Sequence, residues 1–335
     1  MSSIRSSLLG AAACALLVPF TACGGDDGAG NNNPDANNGT GNPEGTHYSY
    51  VVSRAYVPST NAEASMWGLD IGAMKSGTPD GLVDNTLGQA FATLASQGLS
   101  VQNTITTAID QGKILLLIDY QTKDFTTAST SGLQIKIGAS STPPACTDAA
   151  DTTCRHHLNG DATITLSPSS PSTAAVTGPV AGGTFTSGAG TLALQLAVGS
   201  TDPILVSLKN ARVKATTASA TGITVTLGGA LTVTDLNSNI LPAIFTTISG
   251  IIDHDCPRPR PVDPPSAKCG CAGTTGTIVG LFDNNPRDCE VSAAEFMNSN
   301  FIKAVLLPDV CSTATCTAPD ALSIGIKVDA VKATF

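Results

Sequence analysis

Apolar and polar residues alternate at Leu133, Ile135 and Ile137, and again at Ile223, Val225 and Leu227. A period of two marks a strand with one buried face. Both runs fall in segments that align without a gap at an offset of 90, residues 114–138 and 204–228. The two share Ile-Leu at the start, Thr-Thr-Ala-Ser in the middle and both later glycines. Each copy reads as a long strand, a Ser/Thr/Gly turn and a short strand, which is a hairpin. A truncated third copy ends the chain. Val213-Lys214-Ala215-Thr216 recurs as Val331-Lys332-Ala333-Thr334, after alternating Leu322, Ile324, Ile326 and Val328. Residues 48–57, 162–166 and 192–198 read as further strands.

Helical spacing precedes the strand runs. Leu87, Ala90, Phe91, Leu94 and Ala95 recur at helical intervals, with Asp84 or Asn85 as the cap and Gly98 as the stop. Ser100 caps a second helix carrying Val101, Ile105, Ala108 and Ile109, closed by Gly112. Leu236, Ile240, Ile244, Ile248 and Ile251 mark a third, with Pro242 in its first turns. Ser292 and Glu295 form a capping box for a fourth over residues 296–307, which Pro308 ends. The predicted fold is mainly β with packed helices, a β-sandwich or half-open barrel containing a repeated hairpin unit. A lipid-facing barrel is rejected, because Lys327 and Asp329 share a strand face with Val331 and Phe335.

Residues 1–22 read as a leader. Arg5 supplies one positive charge, and residues 8–20 form an apolar run of 13, shorter than a spanning helix of about 20. Thr21 and Ala22 then precede Cys23, an exit that resembles the lipobox of bacterial lipoproteins, with Phe20 where leucine is usual. The expected modification is acylation of Cys23, and the expected partner is the membrane through that lipid. An ordinary leader cut near Ala22 is the alternative. Residues 23–46 form the lipidated cysteine and a tether whose only apolar side chains beyond Cys23 are Ala29 and Ala36. Such a segment cannot offset its ordering entropy and spans on the order of 25 Å as a coil. Residues 47–335 remain as a single disulfide-stapled, β-rich domain with helices.

Loss of Arg5 with the leader takes the formal charge from −9 to −10. An acidic chain of this kind does not suit nucleic acid as a partner. Charged residues make up only 13% of the sequence, a composition better suited to short strands than to long surface helices. Eight cysteines follow Cys14 and Cys23, and an even number in an exported chain reads as disulfides. Cys146 and Cys154 bracket one short loop and Cys311 and Cys316 another, so each is expected to pair with its neighbour. Cys256, Cys269, Cys271 and Cys289 supply two more bridges of open connectivity.

Two acidic loops are candidates for calcium. In residues 282–295, Asn284 takes the first position of an EF-hand-like loop beside Asp283, Asp288 the fifth, Ser292 the ninth and Glu295 the twelfth. Pro286 at the third position brings no ligand, and Cys289 replaces the glycine of the sharp turn. The competing reading is a capping box and half a disulfide. In the second loop Asp80 and Asp84 precede a helix and Asp70 folds back, with Ser76 and Thr78 as weak first ligands; the competing reading is a polar loop with a helix cap. Cys154-Arg155-His156-His157 suggests zinc only if Cys154 is a free thiolate.

Acidic loops before helices, an alternating strand after them and an Asn/Asp/Gly tether behind a lipobox-type signal resemble uncharacterised exported lipoproteins common in myxobacteria and their relatives. The likeness runs through residues 80–88, 182–190 and 282–306. In such relatives the first loop often carries a fuller DxDGDG run, which residues 71–79 replace here. The resemblance implies no activity. The function expected is that of an outer-membrane lipoprotein with a binding or structural role, its protein or glycan ligand unknown, stabilised by calcium. The rival is a lipid-anchored hydrolase built around His156 or His254. No G-x-S-x-G, H-E-x-x-H or P-loop is present, and the four glutamates and single tryptophan are thin material for paired-carboxylate chemistry or a sugar platform.

Overall fold

The alternating segments become ten strands among the described residues: β1 (Thr46–Tyr56), β2 (Leu116–Thr122), β3 (Thr127–Thr142), β4 (Thr163–Leu166), β5 (Ala175–Ala181), β6 (Thr184–Thr186), β7 (Gly190–Leu196), β8 (Ile204–Ala218), β9 (Gly222–Thr232) and β10 (Ala321–Lys332). The computed structural model describes residues 42–72, 79–96, 101–172, 175–196, 203–256, 258, 269–272, 275–284, 287–313 and 316–335. The leader, Cys23, most of the tether, Ser76, Thr78, Gly98, Ser100 and Pro286 lie outside them.

Eight strands close into an antiparallel barrel in the order β2, β1, β10, β9, β8, β6, β5, β3, and β3 pairs back onto β2. The sandwich and the half-open barrel are therefore both corrected. β3 bonds β2 through Leu116↔Ile137 and β5 through Leu133↔Val176, so closure leaves no free edge at that point. β4 extends from the far end of β3, and β7 pairs with the first half of β8.

The repeated hairpin is corrected as well. Both segments form antiparallel hairpins, but in different registers. Leu117 pairs with Lys136, so the offset of 90 would place Ser207 opposite Thr226; Thr226 instead pairs with Lys214, seven residues along. The shared Thr-Thr-Ala-Ser lies at the start of β3 in one copy and at the end of β8 in the other. Local side chains decide where the chain turns. Asp124 accepts from the amides of Thr126 and Thr127 before β3, whereas Ser219 accepts from those of Thr221 and Gly222 after β8.

The interior follows from the register. Tyr50 faces Ile118, Ile118 faces Ile135, Phe185 faces Ala215, Ala215 faces Val225 and Val225 faces Val328, all buried. Outward positions carry Asp119, Lys136, Lys327 and Asp329, the inverse of a lipid-facing barrel. One end of the interior is filled by aromatic rings. Tyr120 meets Phe185 edge-on at 5.4 Å, Tyr48 meets Phe125 at 4.6 Å, and the Tyr50 hydroxyl donates to Ser219 O at 2.6 Å.

Helices cover the other end and one wall. They are α1 (Asn61–Met66), α2 (Thr86–Ser96), α3 (Gln102–Asp110), α4 (Val233–Asp235) continuing through a π turn into α5 (Leu241–Asp255), α6 (Thr275–Phe282), α7 (Ala293–Asn298) and α8 (Asn300–Val305). α1 and α6 were not expected. The single helix expected over residues 296–307 is broken at Ser299, whose extended backbone ends α7 and whose hydroxyl accepts from Ile302 N to start α8. Gln102 ties α3 to the barrel rim, accepting from Val57 N and donating to Ala55 O, each at 2.8 Å.

The outer wall of β9 and β10 is unusually thin. Gly228, Ala230, Ala321, Ser323 and Gly325 lie along part of it; the backbone of Trp67 and Gly68 rests on Gly325, and the Leu69 and Ile71 side chains rest on Gly228. A Cβ at Gly325 would lie 2.5 Å from Trp67 O. Asn85, 3% exposed, fastens the layer. Its Oδ1 accepts from Gly88 N at 3.0 Å and Gly325 N at 2.8 Å, while Nδ2 donates to Ala64 O at 2.9 Å and Gly325 O at 3.0 Å. One side chain thus caps α2 and joins it to α1 and β10.

Asn85→Ala leaves four buried backbone groups short of a partner and should cost about 3–5 kcal/mol in urea unfolding. Gln89→Ala, on the exposed side of α2, should cost less than about 0.5 kcal/mol. Equal effects would show that Asn85 is not the fastening.

Candidate functional site

The loop beneath Asn85 gathers the first set of acidic candidates. Asp70 does fold back, but onto backbone: it accepts from Asp80 N at 3.1 Å and Gly81 N at 2.6 Å. Asp80 accepts from Leu82 N at 3.0 Å. Asp84 accepts from Ile71 N at 2.9 Å and Gly72 N at 3.2 Å. Burial pushes the Asp84 carboxyl up to about 6; its two N–H bonds oppose the shift, and Asp309 and Asp70 add to it. Thr86 and Ser323 both hydrogen-bond Asp309, which links this loop to β10. These carboxylates hold turns in place.

The second set lies between α6 and α7. Asp283 is buried and accepts from Asp288 N at 3.3 Å and Cys289 N at 2.9 Å; burial first, then Asp288 and Glu295, raises its pKa against those bonds. Asn284 donates to Phe282 O, and Asp288 accepts from Glu290 N. Ser292 and Glu295 make the full capping box, Ser292 Oγ accepting from Glu295 N and Glu295 Oε2 from Ser292 N. Cys289 adopts φ +63°, the left-handed conformation a glycine would supply in a calcium loop. Among the described residues, the one group of three His, Cys, Asp or Glu ligand atoms within 4.8 Å of one another is Cys269, Asp283 and Cys289. The two sulfurs are bonded to each other. Among the described residues the side chains of both acidic sets are engaged with backbone groups of their own loops.

Four disulfides are present. Cys146 pairs with Cys154 and Cys311 with Cys316, as their spacing suggests. The open connectivity resolves as Cys256–Cys271 and Cys269–Cys289, which fasten the C-terminal end of α5 to the acidic loop after α6. With Cys154 in a disulfide, no thiolate is left for zinc beside His156 and His157.

Three histidines rest on neighbouring carboxylates: His47 on Asp119 at 2.8 Å, His156 on Asp151 at 3.0 Å and His254 on Asp255 at 2.7 Å. Among the described residues none of these rings hydrogen-bonds a serine, threonine or cysteine side chain, which a hydrolytic nucleophile requires. His157 is fully buried, and burial lowers its pKa, with Arg155 next in effect.

One feature has no forerunner in the motifs. At the helix-covered end, β1, β2, β7 and β10 enclose an apolar cavity of about 30 Å³ under Phe91 of α2 and Ile105 of α3. Among the described residues its lining is apolar apart from Gln195, whose side chain lies on the strand face opposite Leu194 and Leu196, with Leu205 as its cross-strand neighbour. Gln195 sits between Leu194 and Leu196 as an ordinary alternating polar position, and no sequence signal marks it.

No family model, no curated protein and no solved structure matches this chain.

Asp84 gives a pH signature. Its folded pKa lies above the unfolded value near 4, so the folded state holds the proton more tightly. Stability therefore falls as pH rises from about 4 to about 6. Asp84→Asn should raise Tm at pH 7.5 and lose that advantage by pH 4. A gap that stays constant with pH would contradict the assignment.

Proposed function

We propose that this chain is an exported lipoprotein of the cell envelope, anchored through lipid on Cys23, whose barrel serves a binding role. The observation that supports it is the set of four disulfides, since such bonds form and persist in oxidising compartments. A polar tether before the barrel and the lipobox-like exit at Cys23 agree with that address. The outer membrane is the residence that fits the resemblance. Nothing in the surroundings of His156 or His254 favours a hydrolase.

Metabolic labelling with an alkyne fatty acid should mark the wild type and miss Cys23→Ser. Equal labelling of the two would overturn the anchor.

A calcium ion at Asp283, Asp288 and Glu295 would share or displace the backbone amides that these carboxylates accept from. Thermal unfolding of the oxidised protein should give the same Tm with millimolar Ca²⁺ and with chelator. A calcium-dependent rise that Glu295→Gln abolishes would establish a site there, since extracellular sites bind at about 10⁻⁴–10⁻³ M.

A further inference from the structure

Cations gather on the outer face of β8, β10 and β1. Lys209, Arg212 and Lys214 of β8 pair with Ala230, Gly228 and Thr226 of β9, and Lys327 of β10 pairs with the other side of Thr226. Residues opposite each other in a ladder share a face. Their chain neighbours Val213, Leu227 and Val328 fill the interior, so these side chains point outward. Lys327 in turn pairs with Tyr56, and Arg54 lies two residues before it on the same face. One row therefore crosses four strands as Tyr56, Lys327, Thr226 and Lys214, with the two lysines about 10 Å apart at the backbone, two strand spacings. The Tyr56 ring has Arg54 at 4.9 Å and Lys327 at 4.8 Å from its centroid, and the Trp67 ring stands 5.7 Å away. Among the described residues none of these five cations forms an ion pair with a carboxylate, whereas Lys123, Arg155 and Arg258 do. Asp329 shares the face, but it accepts from the Tyr56 hydroxyl at 2.7 Å and from Thr224 Oγ1 at 2.8 Å. Asp70, whose charge reaches Arg212, accepts from Asp80 N and Gly81 N. Five of the 17 Lys and Arg side chains of a protein with formal charge −9 thus stand together on one face.

We infer that this face binds an acidic polysaccharide, a chain of sugars bearing carboxylate groups, laid across the strands from Trp67 to Lys214. Charge selects the class. Carboxylates at intervals along the polymer meet Lys327, Lys214 and Arg212 in turn, each through a charge-assisted bond. Thr226 stands between the two lysines, and its hydroxyl both donates and accepts, as sugar hydroxyls do. Trp67 is half-buried and offers one ring to one sugar, so the cations hold the polymer and an aromatic platform is not needed. A protein partner fits less well, because no aliphatic side chain stands in the row from Tyr56 to Lys214 to build an apolar contact. The inference names a ligand class for the binding role proposed above and is independent of the anchor at Cys23.

The test is calorimetric titration of the purified, oxidised protein with hexagalacturonate and with neutral maltohexaose. Wild type should bind hexagalacturonate saturably, about ten-fold or more tightly than maltohexaose, with an affinity that falls as salt rises. Lys214→Gln combined with Lys327→Gln should lower that affinity about ten-fold with Tm retained, since two charge-assisted bonds are lost. Lys113→Gln combined with Lys303→Gln removes the same net charge from exposed positions elsewhere and should lower it less than about two-fold. Equal loss in the two double variants, or no saturable binding by wild type, would overturn the site. Equal binding of maltohexaose would overturn the acidic character of the ligand. Binding of phosphatidylglycerol vesicles with none of hexagalacturonate would overturn the glycan and assign the face to a lipid surface. Fatty-acid labelling at Cys23 together with no hexagalacturonate binding would leave the lipoprotein reading standing and the ligand class refuted.

Discussion

Over one stretch of β9 and β10 the outer face carries only Gly228, Ala230, Ala321, Ser323 and Gly325, and residues 67–71 lie directly against it. That approach exists because Gly325 has no Cβ to meet Trp67 O and because Gly228 leaves room for Leu69. Close backbone contact excludes water, so its polar groups must be answered from within the protein. Asn85 answers four of them, two on Gly325 and one each on Ala64 and Gly88. The bond to Gly88 N also caps α2, so the strip of small residues sets where that helix begins. Phe91 follows from the same placement. The Phe91 wall of the apolar cavity is thus positioned, through one helix, by the hydrogen bonds of Asn85.

The two ends of the barrel solve the filling problem differently. At the end where β1 begins, Tyr120, Phe185, Tyr48 and Phe125 occupy the space with rings. At the end where β1 finishes, Val52, Ala55 and Val57 are too small to fill it, and α2 and α3 complete the lining. An eight-stranded barrel has an interior of the size that either side chains or one small ligand can occupy. In this chain rings fill one end, and helices close the other over an apolar cavity of about 30 Å³. Away from the interior, the disulfides and the turn carboxylates stabilise loops in a protein that has few charges and few long surface helices.

Much of the fold was legible from periodicity. The alternation at Leu133–Ile135–Ile137 and Ile223–Val225–Leu227 reports the interior face, which holds every second residue except where a bulge shifts the register, as between Val52 and Arg54. The capping box at Ser292 and Glu295 was readable because its chemistry is local. Register was not. Thr-Thr-Ala suits either side of a turn, so a matching string of residues gave the wrong equivalence, and Asp124 and Ser219 decided the turn positions. The acidic loops were ambiguous for a related reason: aspartates that hold a turn and aspartates that hold calcium occupy the same spacing. In this structure Asp70, Asp84 and Asp283 accept from backbone N–H groups, the pattern of carboxylates that hold a turn. Closure itself and the pairing of Cys256 with Cys271 depend on contacts far apart in the chain, which no local pattern carries.

Native-state hydrogen exchange at Gly88 and Gly325 tests the fastening most directly, because both amides donate to Asn85 Oδ1. If the layer is integral to the barrel, both amides exchange only through global unfolding, with the same denaturant dependence as Val225 of β9 and Val328 of β10. Exchange at Gly88 and Gly325 with a much shallower dependence would mean that the layer opens by itself. In that case Asn85 does not hold α2 to the barrel.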